Sequence, residues 1–243
     1  MAVMNDASSP NEMLGPLRDG VPLFQGLPES ALEQAIACAR RTRCPKGGTL
    51  FEQGAAPEAF HLILAGRLKV SQTTPAGQRV IIRYLGPREI AGCVAICGGI
   101  PYPATAEAVE DTWLLSWTRA RIAELAERYP AIALSALRVM SGRMTELQAR
   151  LREMQTEPVE RRIAHGLGRL VIQAGRRTPK GIEIDFPITR QDLAEMTGTT
   201  LHTVSRTLSK WEAAGIVAGG RQRVVILQPQ ALVGIADDLP DPG

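Results

Sequence analysis

Three features of this 243-residue sequence predict an α+β fold: an N-terminal jelly-roll β-barrel, a long helix and a C-terminal winged helix-turn-helix. Short strand-like runs separated by glycine turns fill the stretch from about 44 to 117. A narrow apolar seam then recurs at alternating spacings of three and four. Finally, two short helical patterns meet at Gly198 and are followed by a basic hairpin. The implied boundaries are a polar leader (1–20), a sensing barrel (21–128), a dimerisation helix (129–156), a winged helix domain (157–231) and an acidic tail (232–243).

The barrel is read from its punctuation. Leu27-Pro28-Glu29-Ser30 resembles a cap ahead of Leu32, Ile36 and Ala39, so residues 23–42 predict a short helical lead-in. Turn signals follow at Gly47-Gly48, Gly54, Ala65-Gly66, Pro75-Ala76-Gly77, Gly86-Pro87 and Gly98-Gly99. Between them lie apolar runs such as Phe60–Leu64, Leu68–Ser71, Val80–Leu85 and Trp113–Trp117. Small barrels of this kind often enclose a ligand.

The long helix starts near Pro130, a residue suited to a first helical turn. Leu137, Met140, Met144, Leu147, Leu151 and Met154 form an a/d seam flanked by Arg138, Arg143, Glu146, Arg150 and Glu153. A helix packed on its own barrel is the competing explanation, but the narrow stripe fits a dimer coiled coil better. Pro158 removes a helical hydrogen bond and marks a hinge.

The most informative segment comes last. After a helix over Val159–Ala174 and an alternating run Gly181–Phe186, Thr189 is placed to cap a helix through Met196. Gly198 suits the positive φ of a tight turn, and Thr200 caps a second helix reaching about Ala214. Leu193, Ala194 and Val204 face the helix crossing. Thr200, His202, Thr203, Ser205, Arg206 and Ser209 lie outside it, and short polar groups with one arginine suit the major groove of DNA. Arg190, which opens the first helix, is a further candidate DNA-binding residue. Val217–Ile226 reads as a hairpin whose basic tip, Arg221 and Arg223, suits phosphate contact.

Composition narrows the alternatives. The net charge of +3 is uninformative, but residues 156–230 hold eleven basic residues against seven acidic ones. The last residues, with Asp237, Asp238 and Asp241, read as a disordered acidic tail. No apolar run is long enough to span a bilayer, and no signal-peptide pattern opens the chain, which together predict a cytoplasmic protein. Four cysteines, Cys38, Cys44, Cys93 and Cys97, do not look like a disulfide framework. A jelly-roll oxygenase would need clustered histidines and carboxylates, and the barrel holds one histidine, His61. No nucleophile-elbow or phosphate-loop motif is present, so no catalytic role is expected.

The order of barrel, long helix and winged helix, with Thr189-Arg190-Gln191-Asp192-Leu193-Ala194 and Thr203-Val204-Ser205-Arg206, resembles the Crp/Fnr family of bacterial regulators over roughly residues 20–230. That resemblance implies a symmetric dimer on double-stranded DNA that works through RNA polymerase. Arg206 matches the family arginine that reads guanine, implying a TTG-type half-site with a CAA complement. His202 stands where the family commonly has Glu, so the carboxylate that would accept from cytosine N4 is missing. Leu201–Arg206 is similar to regulators of the nitric-oxide and denitrification branch.

The effector is less clear. The family's cyclic-nucleotide cassette corresponds to Gly92-Cys93-Val94 and Tyr102-Pro103-Ala104. No Lys or Arg occurs from Glu89 to Thr118, which disfavours cyclic AMP. The short N-terminal cysteine spacing of the oxygen-sensing members is absent, which disfavours an iron–sulfur cluster. Haem stays open, with His61 or Cys93 as candidate effector-binding residues. The alternatives are a small organic ligand, activity without effector, or a cyclic-nucleotide-like binding module without DNA function.

Overall fold

The computed structural model describes residues 20–97 and 100–238, excluding the Cys97 side chain. Residues 1–19, the Gly98-Gly99 turn and residues 239–243, with Asp241, lie outside them. The chain divides into two compact units, one ending at Thr73 and resuming over Arg83–Glu146, the other comprising Thr74–Ile82 and everything from Leu147 onward.

The first unit is a jelly roll of two four-stranded sheets, ordered β1-β8-β3-β6 and β2-β7-β4-β5. The strands are β1 (Arg40–Cys44), β2 (Thr49–Phe51), β3 (Ala59–Ala65), β4 (Leu68–Thr73), β5 (Arg79–Leu85), β6 (Ile90–Ala91), β7 (Thr105–Ala108) and β8 (Thr112–Thr118). Strict alternation on β3 splits its side chains. Phe60, Leu62 and Leu64 join a core with Leu115, Trp117 and the helices, whereas Ile63 joins Leu68, Leu85 and Leu114 between the sheets. Trp117 is fully buried, packs against Phe24 and Phe60 at centroid distances of 5.9 Å, and donates its indole N–H to Ala35 O at 2.7 Å. The polar edge of this large ring is therefore satisfied inside the core.

The helical lead-in is shorter than the sequence implies. A 3₁₀ turn at Pro22–Phe24 and α1 (Glu29–Ala37) account for it, and β1 begins at Arg40. The Arg-Arg-Thr-Arg-Cys run carries no alternating hydrophobicity; it is a strand because it pairs antiparallel with β8, Arg40 opposite Ser116 through Cys44 opposite Thr112. A single turn, α2 (Val94–Cys97), and α3 (Arg119–Arg128, capped by Thr118) complete the sandwich.

The long helix α4 spans Pro130–Thr156. Ile132 and Ala136 belong to the first unit's core, while the predicted seam residues are all exposed, joined by Leu134. Pro158 then caps α5 (Val159–Ala174). Within the second unit, Glu153 is buried and accepts from Arg169 Nη1 with both oxygens at 2.8 Å.

The second unit holds a four-stranded sheet, ordered β11-β12-β10-β9, from β9 (Gly175–Thr178), β10 (Gly181–Ile184), β11 (Val217–Gly220) and β12 (Arg223–Ile226). Its helices are α6 (Arg190–Thr197), α7 (Leu201–Ala213) and α8 (Pro229–Asp237). The expected disordered tail from 232 is corrected here: Asp237 ends a helix that packs on α5. Pro229 starts α8, Leu232 and Ala236 are buried, and Arg161 donates to Ala236 O at 3.1 Å and pairs with Asp238 at 3.5 Å.

Removing the half-buried Arg169 strands the charge of the buried Glu153. Arg169→Met is therefore expected to destabilise the second unit by about 3 kcal/mol, measurable as a lower urea midpoint. Arg169→Met with Glu153→Met should recover most of that loss; a double variant as weak as the single one would refute the pairing as the cause.

Candidate nucleic-acid interface

Local chemistry builds the helix-turn-helix. The Thr189 hydroxyl accepts from Asp192 N at 3.0 Å, and the Asp192 carboxylate accepts from Thr189 N at 2.9 Å, a reciprocal cap that starts α6. Gly198 ends α6 at φ 63°, and Thr200 caps α7 through Thr203 N. A Cβ at Gly198 would come within 3.1 Å of the Met154 methyl, and one at Gly166 would meet Thr197 at 3.1 Å. Small residues thus let α6 approach both neighbours closely.

Helix α7 is two-faced. Val204, Thr207, Leu208 and Trp211 are buried, on the packing stripe expected of an amphipathic helix. Trp211 Nε1 and Lys210 Nζ each donate to Glu160 Oε1 at 3.0 Å. Burial opposes ionisation of Glu160, but these two bonds outweigh it and hold its carboxyl below the usual range. The opposite face presents Thr200, His202, Arg206 and Ser209 exposed, with Thr203 and Ser205 partly so. His202, Arg206 and Ser209 stand four and three residues apart, on one face of the helix. Thr203 shares a hydroxyl contact with Thr200 at 3.0 Å.

The predicted basic residues separate into free and engaged groups. Arg206 and Arg221 are exposed and make no ion pair among the described residues. Arg190 instead pairs with Glu212 at 3.1 Å. Arg223 is bound by Glu183, which also holds Arg176. Arg190 and Arg223, both expected at the DNA surface, are thus each held by a carboxylate in this structure. The hairpin tip is Arg221-Gln222, with Gln222 at φ 57° and its carbonyl accepting from Ile188 N. Sequence reading missed β9, whose exposed Arg177 widens the basic edge of the sheet; the basic character of Gly-Arg-Arg-Thr was the only signal.

In the sandwich, the strand alternation turns His61 inward. Its Nδ1 bonds Ser116 Oγ at 2.8 Å, and Ser116 bonds Thr42 Oγ1 at 2.8 Å. The ring lies flat near Phe51, which stacks on Tyr102 at 4.0 Å, and Tyr102 donates to Ala59 O at 2.7 Å. Tyr102 thus occupies the cassette position with an aromatic ring rather than a cation. Cys93 has a different partner, accepting from Arg143 Nη1 at 3.3 Å. Burial pushes its thiol up, against the lowering effect of Arg143. His61 and Cys93 share no partner. Haem does not fit His61 as it stands, because a porphyrin would have to displace the Phe51–Tyr102 stack. Among the described residues no cluster of metal-ligating side chains occurs, and no helix is long and apolar enough to cross a membrane.

A two-helix reader with a basic hairpin, following a jelly roll and a long helix, defines a DNA-binding regulator with a sensor-type domain. Residues 41–129 match the cyclic nucleotide-binding domain family and residues 161–235 the Crp-like helix-turn-helix domain. A cyclic AMP receptor protein of Thermus thermophilus is 30% identical over 217 residues, covering 89% of this chain and 97% of that protein. The transcriptional activator FnrA of Stutzerimonas stutzeri is 26% identical over 79% of this chain and 78% of its own. FixK2 of Bradyrhizobium japonicum shares the fold, with a TM-score of 0.72 at 20% identity, over 81% of this chain and 96% of that one. The chain belongs to the Crp/Fnr family of DNA-binding transcription regulators.

Burial lowers the His61 pKa from 6.5 to about 4. An unfolded chain therefore takes up a proton near pH 6.5 that the native protein refuses until about pH 4. Stability present above pH 6.5 is lost on acidification across that window, by up to about 3 kcal/mol. Urea denaturation at pH 7 and pH 4.5 should show a shallower loss in His61→Gln; equal slopes would assign the acid sensitivity elsewhere.

Proposed function

We propose that the protein is a homodimeric, effector-controlled regulator that reads a TTG-N-CAA-like palindrome with the exposed face of α7. The observation carrying this reading is Arg206: a guanidinium on the outer face of a capped, packed helix, with no carboxylate to neutralise it. Such a group can pair with guanine O6 and N7 in the major groove. Arg221 at the hairpin tip is placed for phosphate contact, and His202 sets a base preference different from a Glu-bearing helix.

The dimer reading is supported by α4. Leu137, Met144 and Leu151 are 63%, 58% and 57% exposed, in a stripe too long and regular for solvent. Two copies packed along it would place recognition helices on half-sites about 34 Å apart. The protein then acts in the cytoplasm through RNA polymerase, without catalysis of its own. A change in the sandwich shifts the seam, and the Pro158 hinge transmits it to the second unit. For the effector, the spelling of α7 favours nitric oxide, but the packing of His61 speaks against haem, so a small organic ligand is the preferred alternative.

Arg206→Ala is expected to cost roughly 1–3 kcal/mol on a specific palindrome while leaving random DNA nearly unchanged. Arg221→Ala should weaken all sequences about equally and reduce the salt slope by about one. Anisotropy titrations at several salt concentrations check both; an Arg206→Ala variant with undiminished specific affinity would remove it as a base reader. Met144→Glu with Leu151→Glu should yield a folded monomer by sedimentation, and a persistent dimer would place the interface elsewhere.

A further inference from the structure

The cassette segment lacks cations in sequence, yet four guanidiniums converge beside it in space. A cleft of about 190 Å³ within the first unit is lined by Arg83, Arg88 and Glu89 from the β5–β6 region and by Arg138, Arg143 and Glu146 from α4. None of residues 92–104 lines it, so it is separate from the sandwich interior that holds His61.

We infer that this cleft is a binding site for a small dianion of the phosphate class, a phosphomonoester or free phosphate. Four arginines against two glutamates leave a surplus of two positive charges, matching a phosphate dianion near neutral pH. The glutamates do not use up the donors. Arg83 reaches Glu89 at 3.0 Å and Glu146 at 3.6 Å, and Arg143 donates to Ile90 O at 2.6 Å and to Cys93 Sγ. Arg88 and Arg138, on the cleft rim, are exposed, so their guanidiniums are open to an incoming anion. Arg88 sits at φ 71°, a left-handed conformation unusual for a side-chain-bearing residue, which holds a long cation at the rim. Arginine forks suit phosphate oxygens, and several can share one group with three free oxygens.

A bound dianion would tie Arg83 and Arg88 of the sandwich to Arg138 and Arg143 of α4. That consequence rests on the proposed control of the seam by an effector; the site itself does not.

The test is calorimetric titration of the full-length protein in phosphate-free, low-salt buffer with glycerol 3-phosphate, inorganic phosphate and, as a carboxylate control, glutarate. The expected result is saturable binding of one phosphate-bearing probe per chain. Arg88→Gln with Arg138→Gln, both exposed and outside the core, should raise Kd roughly tenfold or more. Arg119→Gln, at an exposed arginine of the same unit outside the cleft, should leave Kd unchanged. Tighter binding of glycerol 3-phosphate assigns a phosphomonoester, and tighter binding of inorganic phosphate assigns the free ion. No saturable heat, equal binding of glutarate, or full binding by the double variant would overturn the inference. DNA affinity measured with and without the probe separates the two readings: an unchanged value sinks the coupling while the calorimetric site stands.

Discussion

One helix answers two opposite demands, and the rest of the molecule is arranged around that. Along α4, Ile132 and Ala136 are inside the first unit's core, whereas Leu134, Leu137, Met140, Met144, Leu147, Leu151 and Met154 are exposed among the described residues. An apolar stripe of this length beside a buried one is the pattern of a helix with two packing faces, and it is the observation on which the proposed dimer stands. The C-terminal end of the stripe is equally constrained: Arg162 of α5 reaches the carbonyls of Met154, Glu157 and Gly198 at 3.4 Å each. The end of the stripe and the turn of the helix-turn-helix therefore share one guanidinium.

The reader was legible in the sequence because its signals are local. Thr189, Gly198 and Thr200 act through bonds and backbone angles within three or four residues, and each does what its residue type permits. The seam was legible because a 3–4 repeat survives any surroundings. What sequence reading lost were features decided by a distant partner. Arg40–Cys44 is a strand by virtue of β8, not of its own pattern, and Gly175–Thr178 by virtue of β10. The C-terminal helix hides in an acidic context, and its two buried residues find a site only on α5.

Charge was the hardest quantity to read. Counting eleven basic against seven acidic residues treats every arginine alike, but Glu212 and Glu183 withdraw Arg190 and Arg223 from the surface field. Arg206 on α7, Arg221 at the hairpin tip and Arg177 on β9 remain exposed. A small number of well-placed cations favours specificity, whereas a diffuse surface favours sequence-independent binding.

The same correction runs the other way in the sandwich. A segment with no Lys or Arg from Glu89 to Thr118 argues against a phosphate ligand only if the ligand must be held by that segment. Inside the sandwich the argument stands, since Tyr102 stacks on Phe51 and caps Ala59 where a cation would be needed. Outside it, the fold draws arginines from a β-turn and a helix some fifty residues apart in sequence to a single cleft. Cys93 lies between the two situations, its sulfur accepting from Arg143, which lines the cleft, while its backbone belongs to the cassette. Cations that a linear count assigns to a barrel turn and a dimer helix become one electrostatic feature when the chain folds. Any sensing role for the first unit has to be weighed at that outer surface as well as in the sandwich interior.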